Sequence, residues 1–263
     1  MTTGGPLEGR HALVTGAGSG IGAAIARSLA DAGANVTLAG RRPGPLAEVA
    51  ASLPQGRALA VDDFDVTDPE KIARGLDTAR AAFGRIGILV NNAGEAPSAP
   101  FRKTSAALWA QVLAVDLTGV FNVTQAALAD VESFAALGRI INVASTAGLT
   151  GYVYVSAYCA AKHGVVGLTR ALALELAKTG VTVNAVCPGF TETPLIDAAI
   201  DNIVAKTGRT REAAQAELAK ANPQGRLVKP EEVADSVLWL ASPGAGSING
   251  QAIAIAGGEV LAG

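Results

Sequence analysis

Apolar residues along this chain fall into short continuous runs, and between the runs they recur three or four positions apart; the two patterns alternate from end to end. The continuous runs predict strands over residues 10–15, 35–39, 57–61, 86–90, 139–144, 181–186 and 252–255. The helical period brings Ile25, Leu29 and Ala30 inward after the first run. It resumes after Asp68, an N-cap followed by Pro69 at the first helical position, and spans residues 105 to about 134, where Trp109 and Asp116 lie. Val165, Leu168, Leu172 and Leu176, uninterrupted by proline, predict a long helix over 157–178 with Ser156 as its N-cap. Residues 195–226 read as a charged helical flap, and Pro230 opens a helix to Ala241. Strands that are apolar throughout and alternate with helices make a parallel sheet covered on both faces. The expected architecture is α/β: a three-layer, doubly wound parallel sheet of Rossmann type, one domain over 1–263 with a small helical flap at about 191–226.

Composition narrows the partners. The 263 residues are 49% hydrophobic with a formal net charge of -2, and no basic face argues for nucleic acid. Mean hydropathy is +0.33, yet polar residues break every run before the roughly 18 apolar positions a membrane span needs. Cys159 and Cys187 are the only cysteines, fitting a reducing compartment and a packing role, and the first residues lack the charged and apolar regions of a signal peptide. The expectation is a cytoplasmic protein with no membrane or nucleic-acid partner.

Candidate chemistry sits where strands end. After the first strand, Gly16-Ala-Gly-Ser19-Gly20-Ile21-Gly22 runs into a helix, so glycines let backbone approach a pyrophosphate and the helix N-terminus offers free N–H groups. The common Gly-x-Gly-x-x-Gly spacing fails, because Ile21 occupies its third glycine position. About 20 residues past such a loop an acid would hold adenosine ribose, whereas arginine accommodates a 2′-phosphate. This chain has Gly40-Arg41-Arg42 there, which favours NADP(H) and leaves NAD(H) as the alternative. Asn92 and Gly94 follow the fourth strand, and Ser145 stands at the carboxyl end of the fifth. Tyr158 and Lys162, four apart, share one helix face, where the ammonium pulls the phenol pKa down.

Thr15-Gly16-x-x-x-Gly20-Ile21-Gly22, Asn91-Asn92-Ala93-Gly94, Ser145, Tyr158-x-x-x-Lys162 and Pro188-Gly189, in this order over nearly the whole chain, resemble the short-chain dehydrogenase/reductase family. The resemblance implies hydride transfer between a nicotinamide and a ketone or secondary alcohol, in a homo-oligomer. It implies Tyr158 as the proton donor to the ketone oxygen, Ser145 as a hydrogen-bond partner of that oxygen, and Lys162 as the residue holding the nicotinamide ribose. Gly16, Ser19 and Ile21 would line the pyrophosphate, Arg41 the 2′-phosphate, Asp65 and Val66 the adenine, Asn92 the adjoining ribose, and Thr191 and Thr193 the carboxamide side. One departure stands out: the family's asparagine seven positions after the tryptophan is Asp116, an aspartate able to pair with Lys162. Local likeness is to NADPH-dependent 3-oxoacyl thioester reductases and aromatic polyketide ketoreductases, so the expected substrate is a 3-oxoacyl thioester. Free cyclic or aromatic ketones are the alternative, and a non-catalytic dinucleotide sensor the remote one. Phe101, Tyr152, Tyr154 and Val155 would give an apolar lining with hydroxyl tips; Lys206, Arg209 and Arg211 read first as a solvated helix face and second as cations for a carrier's phosphates.

Overall fold

A computed structural model describes residues 5–261; residues 1–4, on which most of the signal-peptide reading rests, lie outside them. The strands are β1 (His11–Thr15), β2 (Asn35–Ala39), β3 (Ala58–Val61), β4 (Ile88–Asn91), β5 (Arg139–Val143), β6 (Thr182–Pro188) and β7 (Ala252–Ile255). They form one seven-stranded sheet in the order β3-β2-β1-β4-β5-β6-β7, parallel throughout. The order reverses between β1 and β4, which opens a crevice at the carboxyl edge, the place where such sheets take ligands.

The helices are α1 (Gly20–Asp31), α2 (Pro43–Ala51), α3 (Pro69–Phe83), α4 (Ala106–Leu113), α5 (Gly119–Glu132), α6 (Ser156–Leu176), α7 (Pro194–Thr207), α8 (Arg211–Ala219) and α9 (Pro230–Ala241). Side chains from α1, α2 and α9 build the core on one face of the sheet, around Ile25, Leu29, Leu46, Val237 and Leu240. Those from α3, α5 and α6 build the other, around Ile72, Leu76, Val123 and Leu176. The inner strands β2, β1, β4, β5 and β6 are buried almost end to end, which is why they read as unbroken apolar runs rather than alternating ones, while the edge strands β3 and β7 are only partly buried. A buried polar chain crosses the second layer: Asn91 Nδ2 donates to Thr124 Oγ1 and Asn142 Oδ1, each at 2.9 Å, and Asn142 Nδ2 donates to Thr169 Oγ1 at 2.9 Å. It ties β4, α5, β5 and α6 into one register.

Several boundaries move from the expected ones. α6 begins at Ser156 itself with Val155 as N-cap, the Ser156 hydroxyl is buried without a partner, and the helix ends at Leu176 before a 3₁₀ turn, Ala177–Thr179. Only Val165 and Leu176 of its apolar stripe are fully buried, and Leu168 and Leu172 sit at the margin. The stretch expected as one helix to Phe134 is broken by a π-helical turn, Ala114–Thr118, and ends at Glu132. That whole stretch, Ala106–Glu132, is long and apolar enough by length and composition to cross a membrane, which the run-length argument missed. Here it packs against α3, α6 and β4 and holds a fully buried carboxylate, Asp116. Asp68 does cap α3, its carboxylate accepting from Glu70 N at 3.0 Å and Lys71 N at 3.2 Å.

Candidate active site

At the nucleotide end of the crevice, Gly16, Ser19, Gly20, Ile21 and Gly22 form the turn from β1 into α1. Ser19 is the N-cap of α1 but makes no capping bond with its side chain, and the first turn carries no acid. Its hydroxyl and the leading N–H groups therefore remain free for an anion. A Cβ at Gly22 would lie 2.4 Å from both Asn92 Nδ2 and Gly16 O, so only glycine lets α1 close on this loop. The reason is an interlock with the end of β4: Asn92 Nδ2 donates to Thr15 O at 2.9 Å and Gly16 O at 3.3 Å, while Thr15 Oγ1 accepts from Asn92 N and Ala93 N at 2.9 and 3.0 Å. Asn92, expected to face ribose, thus turns its amide nitrogen onto the glycine loop and acts first as a brace for it.

Arg41 is exposed just past β2, and among the described residues no carboxylate forms a salt bridge with it or with Arg42. Beyond β3, Asp65 Oδ1 accepts from Thr67 N at 2.9 Å and Thr67 Oγ1 at 2.7 Å. Burial pushes the Asp65 carboxyl up, but these bonds together with the charges of Arg41 and Lys71 hold it below the usual value. Val66 packs against Gly119 at the start of α5, and its carbonyl accepts from Asn122 Nδ2 at 3.1 Å. The free N–H groups, the unpaired Arg41 and the glycine cradle fit a phosphorylated dinucleotide.

The reacting groups converge from β5, α6 and the π turn. Ser145 follows β5 and accepts from Ala147 N at 3.1 Å, which leaves its own proton free to donate, and its hydroxyl helps stabilise the Tyr158 phenolate. One turn along α6 from Tyr158, Lys162 is 3% exposed, with Nζ 5.5 Å from the Tyr158 ring centre. Its Nζ donates to Val143 O at 3.1 Å and pairs with Asp116 Oδ1 at 3.3 Å. The extra residue of the π turn aims Asp116 inward, and Glu95 N donates to both of its oxygens at 3.3 Å. Gly94 admits this carboxylate: a Cβ there would meet Asp116 Oδ1 at 2.6 Å.

Burial and charge act together on each of these groups. Burial would strip Lys162 of its proton, but Asp116 more than compensates and holds the ammonium above its ordinary value. Burial also lifts the Asp116 carboxyl, against the pull of Lys162 and the Glu95 N–H. Tyr158 departs from expectation. Burial raises its phenol and outweighs the downward pull of Lys162, and Asp116 raises it further.

Pro188 ends β6, Gly189 follows, and Thr191, buried, donates to Gly189 O at 2.9 Å. Thr193 caps the flap helix α7 through Ile196 N at 3.4 Å and packs on the nucleotide loop, since a Cβ at Gly20 would sit 3.1 Å from its Cγ2. Two of the three flap cations are paired within the flap rather than turned to a carrier: Arg211 is bound to Asp197 and Asp201, and Arg209 pairs with Glu217 at 3.5 Å, while Lys206 is exposed and has no salt-bridge partner among the described residues. The Tyr152 hydroxyl is not free, since it bonds Glu259 and lies 2.8 Å from Thr146 Oγ1. Sequence reasoning passed over Glu259. The signal for it was Gly257-Gly258-Glu259 directly after the last strand, a turn that brings an acid back to the edge where ligands bind. Cys187 is buried, its thiol pushed up to about 11 by burial, and is inert packing as expected.

A family profile described as short chain dehydrogenase matches residues 10–204. The chain belongs to that family. Among relatives of this short-chain dehydrogenase is a protein of Streptomyces violaceoruber named as a ketoacyl reductase of the granaticin polyketide synthase, 42% identical over 250 residues that cover 94% of this chain and 92% of the relative. The D-beta-hydroxybutyrate dehydrogenase of Cupriavidus necator is 39% identical over 256 residues, covering 97% and 99%. A crystal structure of a variant actinorhodin polyketide ketoreductase with NADPH superposes with a TM-score of 0.90 at 38% identity, covering 98% of this chain and 99% of that one. This short-chain dehydrogenase is accordingly an oxidoreductase, and the Rossmann-type fold expected from its strand pattern is the one it has.

Proposed function

We propose that this short-chain dehydrogenase is an NADPH-dependent ketoreductase whose preferred substrates are 3-oxoacyl thioesters. The observation that carries the reaction type is the constellation at the carboxyl edge: the Ser145 and Tyr158 hydroxyls together, with a buried Lys162 ammonium one helical turn behind the phenol. Bound NADPH would supply the hydride to the carbonyl carbon. Ser145 donates a hydrogen bond to the carbonyl oxygen and fixes its position. Tyr158, kept protonated by its burial, delivers the proton that this oxygen gains as it becomes an alkoxide. Lys162 stabilises the phenolate left behind. In the reverse direction the same phenolate is the base. The unpaired Arg41 supports the 2′-phosphorylated cofactor.

The thioester reading rests on the mouth of the site. Phe101 is 76% exposed, and Val153 and Tyr154 are also exposed there, with Ala99 N bonded to Tyr154 O at 2.8 Å. Arg102 and Lys103 adjoin this apolar rim, exposed and without a salt-bridge partner among the described residues. An apolar lip beside free cations suits an acyl chain on a phosphate-bearing carrier. The commitment of Arg209 and Arg211 within the flap favours a second reading, reduction of free cyclic or aromatic ketones. Steady-state kcat/KM for acetoacetyl-CoA, its N-acetylcysteamine thioester and cyclic ketones, each with NADPH and NADH, separates them. A preference for the coenzyme A thioester that is lost in Arg102→Ala/Lys103→Ala at low salt supports the carrier reading; equal efficiency on free ketones refutes it. Exposed Phe121 on α5 and Leu174 on α6 are read as surfaces through which copies of the chain associate.

A further inference from the structure

β7 runs parallel to β6, so the segment after it emerges at the same carboxyl edge as Ser145 and Gly189. Gly257 and Gly258 take φ +60 and +98, left-handed values that side chains resist, and the chain turns back on itself there. A Cβ at Gly257 would lie 2.0 Å from Asn222 Oδ1, so the turn is also wedged beneath the end of the flap. The result aims Glu259 inward. Its Oε1 accepts from the Tyr152 hydroxyl, whose oxygen lies 2.8 Å from Thr146 Oγ1, next in sequence to Ser145. The phenol has one proton and the carboxylate is the stronger acceptor, so Thr146 donates to Tyr152 and Tyr152 to Glu259. The Tyr152 ring stands edge-on to Phe190, centres 5.9 Å apart, and a Cβ on Gly189 would come within 2.8 Å of Glu259 Oε2. The pair therefore joins the turn after β5, the loop after β6 and the tail after β7 across the site.

Glu259 Oε2 is buried with no hydrogen-bond partner, and no Lys, Arg or His among the described residues forms a salt bridge with it. A carboxylate held by a phenol, with no cation paired to it, stands as a negative charge beside the crevice. We propose that Glu259, positioned by Tyr152, is a charge filter: it excludes substrates carrying a carboxylate near the reacting ketone and thereby selects neutral esters, thioesters and amides. The proposal rests on the ketoreductase reading above and deepens it, because a 3-oxo thioester and the corresponding free 3-oxo acid differ in charge two bonds from the ketone. A like charge within about 6–8 Å of an incoming anion, at an effective dielectric near 20, opposes it by roughly 10–100-fold.

The test uses matched pairs: 3-oxobutyrate with its ethyl ester, and 4-oxocyclohexanecarboxylate with its methyl ester. The acid-to-ester ratio of kcat/KM is the readout, so changes in overall turnover cancel. Wild type should show a ratio below about 0.1, and Glu259→Gln, which keeps shape and removes charge, should raise it roughly 10–100-fold. Tyr152→Phe keeps the charge and should keep the low ratio. A wild-type ratio near one, or a Glu259→Gln ratio within about threefold of wild type, overturns the filter, the first outcome needing no variant to fold. If only the cyclic pair is reduced, the filter is still decided on that pair, and the thioester reading stands or falls separately on acetoacetyl-CoA. If neither pair turns over, calorimetric affinities of acid and ester for the NADPH complex give the same ratio.

Discussion

Replacing Asp116 by Asn removes one charge from the proton path while keeping its shape. The amide Oδ1 can still accept from Glu95 N, and Lys162 keeps its bond to Val143 O, so fold and cofactor binding should persist. Lys162 loses the anion that raises its ammonium most, but the Tyr158 phenolate and Val143 O still favour the charged lysine, so what changes is the direct field on Tyr158, whose phenol Asp116 raises. With Nζ 3.3 Å from the carboxylate and 5.5 Å from the ring centre, the carboxylate lies no farther than about 9 Å from the ring. At an effective dielectric of about 20, a charge at that distance is worth roughly 1.8 kcal/mol, or somewhat over one pH unit, and stronger screening halves it. The sign follows from the role of the phenol. Alcohol oxidation needs phenolate, so its rate rises with pH through the Tyr158 ionisation, and removing a nearby anion moves that rise to lower pH. Ketone reduction needs the phenol, so its alkaline decline also moves down. The assay is kcat/KM in both directions across the neutral and alkaline range, for wild type and Asp116→Asn. A downward shift of about 0.5–1.4 units in both limbs is expected. An unmoved or upward-shifted profile refutes the claim that this carboxylate tunes the phenol.

Tyr158→Phe should lower turnover by roughly 10²–10⁴-fold with NADPH affinity nearly intact, measured by fluorescence titration; retained turnover would exclude it as proton donor. Arg41→Ala should raise the KM for NADPH far more than that for NADH, and equal use of both cofactors by wild type would remove the 2′-phosphate role. Gly22→Ala forces a Cβ against Asn92 Nδ2 and Gly16 O and should weaken both cofactors together with a drop in melting temperature; an unchanged Kd would mean that the loop relaxes. Asn92→Ala unties Thr15 O and should cost about 1–3 kcal/mol in denaturant unfolding for the buried carbonyl it orphans.

The sheet was legible because its inner strands are covered on both sides, so their apolar runs are uninterrupted; Asn35–Ala39 and the partly buried edge strand Ala252–Ile255 are found where the pattern put them. Pro230 and Pro69 likewise marked helix starts through their fixed φ. The π turn was not legible, since adding a residue to a helical turn leaves the apolar spacing nearly unchanged while rotating Asp116 into the core. The family resemblance implied that Tyr158, Lys162 and Asp116 share one site, and in the structure Lys162 stands beside both of the others. The resemblance said nothing of the balance between burial and charge that sets the Tyr158 ionisation, because desolvation depends on every neighbouring atom. The flap arginines are paired for a related reason: Asp197 and Asp201 on α7 meet Arg211 only when α7 folds against α8, and Glu217 is brought to Arg209 by the winding of α8.

Thr193 and Pro194 stand directly on Gly20, so the first turn of the flap and the anchor of the nucleotide loop share one surface. A dinucleotide that settles the loop also settles the base of the flap, and a substrate that seats the flap presses back on the loop. Linkage then demands reciprocity: whatever factor NADPH adds to the affinity for an acyl substrate, that substrate adds to the affinity for NADPH. A bulkier residue at position 20 would separate the two elements and leave two independent binding equilibria where the wild-type contact makes one coupled system.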